Sequence, residues 1–206
     1  MGEVTIRRQL GEVTENFDRL LVHLATLLAR TRPRTKIAST KLGKIRKDLS
    51  DPERLDSQSM ASLMEIVSKY NAINDLFEGG LIFEDRDVAK IVEGSASYED
   101  DSQQGYNDKF FELSMGVRFW RGIQKIKPEV RVALDGICDV IVDDEIAIEC
   151  KYAHSAGRLV DNVKKARKQI DCRVSKGSAR YGFIALDISN LVSKGGGFNW
   201  SMQQLR

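Results

Sequence analysis

The sequence predicts an α/β protein in which helices flank a mixed central β-sheet, with an N-terminal helical region ahead of it. Three observations predict this. Apolar residues recur at three- and four-residue steps early in the chain; from about residue 108 helix-like and strand-like segments alternate; and the stretch CDVIVDDEIAIECK, residues 138–151, joins two apolar runs through consecutive acids. With 206 residues, 42% hydrophobic and 30% charged, the chain is long enough to bury a core and reads as soluble and globular. No apolar run approaches the ~20 residues that cross a bilayer, and MGEVTIRRQLGEV lacks the apolar centre of a signal peptide, so we expect a cytoplasmic protein with no membrane partner. Cys138, Cys150 and Cys172 are odd in number and lack metal-ligand spacing, which fits reduced thiols. The net charge of +2 leaves any attraction for polyanions to local patches.

Residues 1–92 form the helical N-terminal region. Across 5–30, Leu10, Val13, Phe17, Leu20, Leu21, Leu24, Leu27 and Leu28 share one helical stripe, which packs on the core or on a dimer mate, with His23 as its polar neighbour. RTRPRTKIASTKLGKIRK, residues 30–47, carries eight positive charges and no negative one, and reads equally as a solvated linker or a phosphate-contacting arm. Residues 59–78 are helical, stopped by Gly79-Gly80. A polar, acidic, Gly/Ser-rich loop at 93–107 links this region to a second unit, 108–206.

In the second unit KFFELSMGVRFWRG is a helix with Phe110, Leu113, Val117 and Trp120 on its apolar stripe and Gly122 placed to end it. VRVAL, 130–134, is a short strand. Residues 156–176 form a helix with Leu159, Val163, Ala166, Ile170 and Val174 on one face. YGFIALDIS, 181–189, is apolar enough to be an internal strand. Gly195-Gly-Gly197 lacks the spacing of a phosphate loop and reads as a flexible turn before the tail.

The pleat of the hairpin decides what shares a face. Cys138, Val140, Val142, Ile146, Ile148 and Cys150 fall on the core side, leaving Asp139, Ile141, Ala147, Glu149 and Lys151 on the other. A two-residue loop at Asp143-Asp144 sets Asp139 against apolar Ile148. A three-residue loop, Asp143 to Glu145, pairs Val142 with Ile146 and brings Asp139 opposite Glu149. Like charges so placed repel. Lys151 offsets part of that repulsion, and a divalent cation between the carboxylates offsets it fully. Mg²⁺, for which Mn²⁺ substitutes, suits such hard oxygen ligands, and the Cys150 carbonyl adds one more. Such a cation polarises a phosphoryl oxygen and lowers the pKa of its water, while an ammonium beside that water favours hydroxide.

Asp139, the ten-residue step to Glu149, and Glu149-Cys150-Lys151, with Gly136 and apolar flanks, resemble the D…(D/E)xK signature of the PD-(D/E)xK nuclease superfamily. The resemblance covers roughly residues 108–190. It implies a restriction-endonuclease-like core in which Asp139 and Glu149 hold Mg²⁺ and Lys151 assists the attacking water. It also implies a metal-linked acid on the preceding helix, matched by Glu112 with Gly116 one turn on, and a glutamine on the following helix, matched by Gln169. The chain departs from the pattern where Cys138 replaces the usual proline and where Arg173 stands four residues after Gln169 in place of one subgroup's tyrosine.

Beside that site Lys164, Lys165, Arg167, Lys168 and Arg173 lie off the apolar stripe of the 156–176 helix, a basic surface suited to phosphate contacts. Cys150 and His154 could pair as a thiol nucleophile and its base, but Cys150 faces the core, where packing is its expected role, and His154 is an exposed residue after the strand. The expected activity is metal-dependent hydrolysis of phosphodiester bonds, foremost as a DNA endonuclease, with RNA also a possible substrate. The N-terminal region then serves dimerisation, DNA contact or regulation, with a homodimer through the leucine-rich helix. The competing expectations are a non-catalytic nucleic-acid-binding or assembly protein on the same fold, and a nuclease effector activated by a partner.

Overall fold

A computed structural model describes residues 2–95, 105–134 and 138–191. Helix α1 spans Gly2–Thr31, α2 Lys41–Ser50 and α3 Ser57–Asn71, with 3-10 turns at Ile37–Ser39, Pro52–Arg54 and Asn74–Phe77. The α1 stripe is spent inside the chain: Phe17, Leu20, Leu24, Leu27 and Leu28 are buried in one cluster with Leu42, Ile45 and Leu49 of α2 and Leu63, Val67 and Tyr70 of α3. These five α1 residues are not open to a dimer mate. His23 stacks on Phe77, ring centroids 4.7 Å apart.

The basic segment 30–47 is neither a linker nor a free arm. Leu42, Ile45 and Leu49, spaced three and four apart, pull it into α2, a pattern hidden by the density of charge. Three of its eight cations are held in ion pairs, Arg30 to Asp85 (3.0 Å), Arg32 to Glu93, and Arg46 to both oxygens of Asp18 (2.5 and 3.0 Å), while Arg34, Lys36, Lys44 and Lys47 are exposed. Lys41 is buried with its Nζ 2.6 Å from the Tyr106 ring centroid. Helix α3 starts where Asp56 accepts a hydrogen bond from the Ser59 amide (2.8 Å) and ends at Asn71, well before the glycines. There the Asn71 and Asn74 side chains donate to the carbonyls of Val13 and Asn16 on α1, both at 2.9 Å. Gly80 has another use: its φ of +89° suits only glycine, and a side chain there would meet the Trp120 indole.

Among the described residues five strands form one sheet in sequence order: β1 Leu81–Phe83, β2 Val132–Leu134, β3 Val140–Val142, β4 Ile146–Tyr152 and β5 Tyr181–Asp187. The outer pairs, β1–β2 and β4–β5, are parallel; β2–β3 and β3–β4 are antiparallel. Thus an α/β fold with a mixed sheet is observed, and its first strand comes from the N-terminal region. A short helix, α4 (Asp85–Val88), follows β1. Helix α5, Tyr106–Ile123, joins Phe110, Leu113 and Val117 to the cluster that holds Val132, Val140, Ile148 and the α1–α3 leucines. Gly122 lies inside the last turn of α5 rather than ending it. Helix α6, Leu159–Ser175, covers the opposite face over β4 and β5, where Ile170 fills the space beside Gly182.

Among the described residues strand β5 is an edge, not the internal strand its composition predicts. Tyr181 (48%) and Phe183 (55%) are largely exposed because α5 does not reach past β4. Val174 is also exposed, so the α6 stripe is fully buried at Ala166 and Ile170 and half-buried at Leu159 and Val163. Gly136 and Gly195–Gly197 lie outside the described residues. No helix among the described residues is long and apolar enough to cross a membrane.

Candidate active site

The hairpin has a three-residue loop: Val142 pairs with Ile146, Ile141 with Ala147 and Val140 with Ile148. Asp143 (φ 51°) and Asp144 (φ 57°) turn the chain in the left-handed region, which aspartate tolerates better than most residues. Their carboxylates are occupied structurally. Asp143 accepts from the Arg131 amide (2.8 Å) and Lys127 Nζ (2.7 Å), which hold its carboxyl below the usual range, and Asp144 pairs with Arg131 (2.6 Å). The acids of the loop build the turn, and only the flanking ones are left for chemistry.

The β3 ladder stops at Val140, and the chain bends at Cys138 and Asp139. Strand alternation therefore fails for Cys138, which packs with Ala147, Ala179 and Ile141 instead of with the core that holds Val140 and Val142. The same bend turns the Asp139 carboxylate onto β4, where the Cys150 amide donates to Oδ2 at 2.6 Å. Lys151 Nζ then bridges Asp139 Oδ2 (3.3 Å) and Glu149 Oε2 (3.2 Å). Glu149 is 1% exposed, and Arg173 of α6 closes on its other oxygen, Nη2 at 3.0 Å and Nε at 3.2 Å from Oε1. Two carboxylates and two cations thus interlock at the junction of β3, β4 and α6. No family model, curated protein or solved structure matches this chain.

Burial pushes the Glu149 carboxyl above its ordinary value, and the negative field of Asp139 adds to this against the pull of Lys151 and Arg173. Burial works against the Lys151 ammonium, yet Asp139 and Glu149 hold it above the usual lysine value, so it is a cation at neutral pH. Glu112, on α5, is also pushed up by burial and by Asp139. Its side chain pairs with Lys109 one turn earlier (2.5 Å), which also reaches Asp87 (3.0 Å). Glu112 therefore adjoins Asp139 electrostatically from α5. The Cys150 thiol is raised well above its normal value by burial and by Asp139, which makes it a packing group rather than a nucleophile.

The remaining candidates divide. Lys164, Lys165, Arg167 and Lys168 are exposed along α6. Arg173 is not part of that solvent face, because the Glu149 carboxylate draws it inward to 14% exposure. Gln169 lies one turn before Arg173, and its Oε1 is buried without a hydrogen-bond partner among the described residues. His154, past the end of β4, is held by Asp108 of α5 (3.1 Å) and stacks edge-on against Tyr152.

The donor set fits a hard divalent cation. Asp139 and Glu149 are carboxylates whose ionised forms each need a positive neighbour, and Lys151 now supplies that charge between them. Glu112 is a third carboxyl raised by the same field. Among the described residues no three His, Cys, Asp or Glu side chains converge as a ready metal cage. The partners that sequence reasoning missed are Lys109, legible afterwards as an i,i+3 mate of Glu112, and the inward role of Arg173.

Proposed function

We propose that this protein is a metal-dependent nuclease of the PD-(D/E)xK type, acting on DNA foremost. The observation that carries the reading is the Lys151 ammonium set between Asp139 and Glu149, with Asp139 pinned by the Cys150 amide. Structure built for packing has no need of two carboxylates sharing one ammonium, one of them on the buried Glu149. Asp139 and Glu149 would hold Mg²⁺ or Mn²⁺, with Glu112 and the Cys150 carbonyl as further oxygen donors. The cation supplies Lewis acidity toward the phosphoryl oxygen and a more acidic water.

The chain's own residues do the rest. Lys151, charged at neutral pH, donates hydrogen bonds from Nζ to an attacking water and favours its hydroxide form, and it neutralises charge growing on the phosphoryl oxygens. Arg173 holds Glu149 by one oxygen and leaves the other to Lys151, which also binds Asp139. Lys164, Lys165, Arg167 and Lys168 contact the strand's phosphates without reading its bases. Cutting both strands of a duplex takes two sites, so a homodimer belongs to this reading, through α1 surface other than the buried Phe17, Leu20, Leu24, Leu27 and Leu28.

The test is incubation of the protein with supercoiled, linear and single-stranded DNA, and with RNA, in Mg²⁺, Mn²⁺ or EDTA, beside Asp139→Ala and Lys151→Ala. Metal-dependent cleavage lost in both variants is the expected result. Absence of both cleavage and Mn²⁺ binding in the wild type defeats the reading. A second reading draws on the closed ion pairs at Glu149: a binding or partner-activated protein whose carboxylates stay neutralised by Lys151 and Arg173. Mn²⁺ binding without cleavage of any substrate favours it.

A further inference from the structure

Glu149 is closed from both sides. Arg173 holds Oε1 with two nitrogens, Nη2 at 3.0 Å and Nε at 3.2 Å, and Lys151 Nζ takes Oε2 at 3.2 Å. Asp139, Glu149, Lys151 and Arg173 then carry no net charge as a group, two negative against two positive. A divalent cation arriving there gains little attraction and finds each Glu149 oxygen already bound. Without the guanidinium the other three groups sum to one negative charge, which favours the cation. The two resident cations differ in how they are tied. Lys151 stands in β4 and also binds Asp139, whereas Arg173 reaches in from α6 with Glu149 as its one ion-pair partner among the described residues. Between the buried Ile170 and Ala179, every residue but Arg173 is exposed, so the guanidinium can withdraw without uncovering core. It has room to do so, because Arg173 also lines a cavity of about 390 Å³ beside the last turns of α6.

We propose that Arg173 is an autoinhibitory latch on the metal site, closing Glu149 at rest and leaving it when a divalent cation binds. The proposal rests on the reading of Asp139 and Glu149 as metal ligands given above. The guanidinium and the cation exclude one another at Glu149, so the latch sets how much cation the site needs before it fills. It also couples that filling to the end of α6, which carries Arg173.

Calorimetric titration of the full chain with Mn²⁺, with no nucleic acid present, compares the wild type with Arg173→Met and Arg173→Lys. Arg173→Met keeps an unbranched side chain without the charge and is expected to bind Mn²⁺ about tenfold more tightly, the scale of one hydrogen-bonded charge pair. It is also expected to melt lower in EDTA and to gain more melting temperature from Mn²⁺ than the wild type does. A role confined to holding the fold or orienting Glu149 gives the opposite sign, a weaker Mn²⁺ site. Arg173→Lys keeps the charge without the two-pronged grip and falls between. Lys176→Ala takes an equal charge from the same end of α6, where Lys176 is exposed, and should move the Kd by less than about twofold. Adding Asp139→Ala to Arg173→Met abolishes the tighter binding. A second measurement follows the latch in the wild type. In EDTA the Arg173 Nε–H, donated to Glu149, exchanges slowly with water in the side-chain nitrogen NMR spectrum, and saturating Mg²⁺ turns that exchange fast. Arg173→Lys assigns the signal.

Equal or weaker Mn²⁺ binding by Arg173→Met overturns the latch and leaves the metal reading standing. An Nε–H that stays protected with Mg²⁺ bound does the same. A gain in Lys176→Ala as large as that in Arg173→Met also overturns it, because the general field of α6 then explains the effect. Mn²⁺ binding by neither the wild type nor Arg173→Met defeats the metal reading and the latch together.

Discussion

The ammonium of Lys151 bridges two carboxylates at 3.3 and 3.2 Å, one of them on a residue that is 1% exposed, and this sets opposite expectations for its neighbours. Asp139→Ala removes a candidate metal ligand, so it should abolish both Mn²⁺ binding and cleavage. Lys151→Ala should keep Mn²⁺ binding, because a competing cation has been removed, while cleavage falls by about 100-fold or more. Calorimetry beside a cleavage assay checks the pair, and loss of Mn²⁺ binding in Lys151→Ala contradicts the assignment. Protons give a second check. Glu149 and Glu112 both sit above their ordinary value of 4.5, so just above that pH each still carries a proton part of the time. Metal binding requires the ionised forms and must expel those protons. Mn²⁺ affinity should therefore rise with pH through the window above 4.5 and level off once both are ionised, with net proton release that vanishes on the plateau. Titrations in buffers of different ionisation enthalpy measure it. The same shifts act on folding with the reverse sense. The folded state holds more protons there than the unfolded chain, so these two groups favour folding as pH falls through that window.

Helix α6 reaches the site through Arg173 and packs on β5 through Ile170, so two substitutions probe one element. Arg173→Ala leaves Glu149 buried with Lys151 as its remaining cation and should cost about 2 kcal/mol, the scale of hydrogen bonds to a charged group. Gly182→Ala places a methyl against the Ile170 side chain in β5 and should cost about 1–3 kcal/mol through overpacking. Urea unfolding reports both. A null result for Arg173→Ala means that water already shares the Glu149 pair. The hairpin is the element most nearly readable in advance. Its alternation of apolar residues favours a three-residue loop over a two-residue one, which would set Asp139 against Ile148, and the observed pairing of Val142 with Ile146 is the three-residue register. Alternation said nothing of the bend at Cys138, because it describes residues inside a ladder and the ladder begins at Val140.

At the scale of the molecule the N-terminal helices and the sheet share one hydrophobic cluster, in which Leu24 and Leu63 belong with Leu113, Val132 and Ile148. Strand β1 also pairs in parallel with β2 across this join. A fragment beginning at residue 105 would expose the α5 residues Phe110 and Phe111 and strip β1 from the side of β2 away from β3. It should fail to give a cooperative melt, whereas the full chain gives one, and circular dichroism decides it. A folded, cooperative fragment would show that the two parts are independent after all. Leu24→Ala, at 0% exposure, should cost about 2–5 kcal/mol and lower stability across the whole protein, the site included.

The chain's own pattern determined the fold class, the helices near 5–30 and 108–122, the hairpin register, and the candidate group Asp139, Glu149 and Lys151. These depend on spacing along one strand or helix, and spacing is local. Tertiary structure alone decided the rest. It placed β5 at the sheet edge, since strand order depends on where the chain returns and not on composition. It folded the basic segment 30–47 onto Asp18, Asp85 and Glu93, partners 28 to 61 residues away in the cases of Arg46 and Arg32. And it turned Arg173 from the outer face of α6 onto Glu149, because a buried carboxylate draws in the nearest guanidinium whatever the helical pattern suggests.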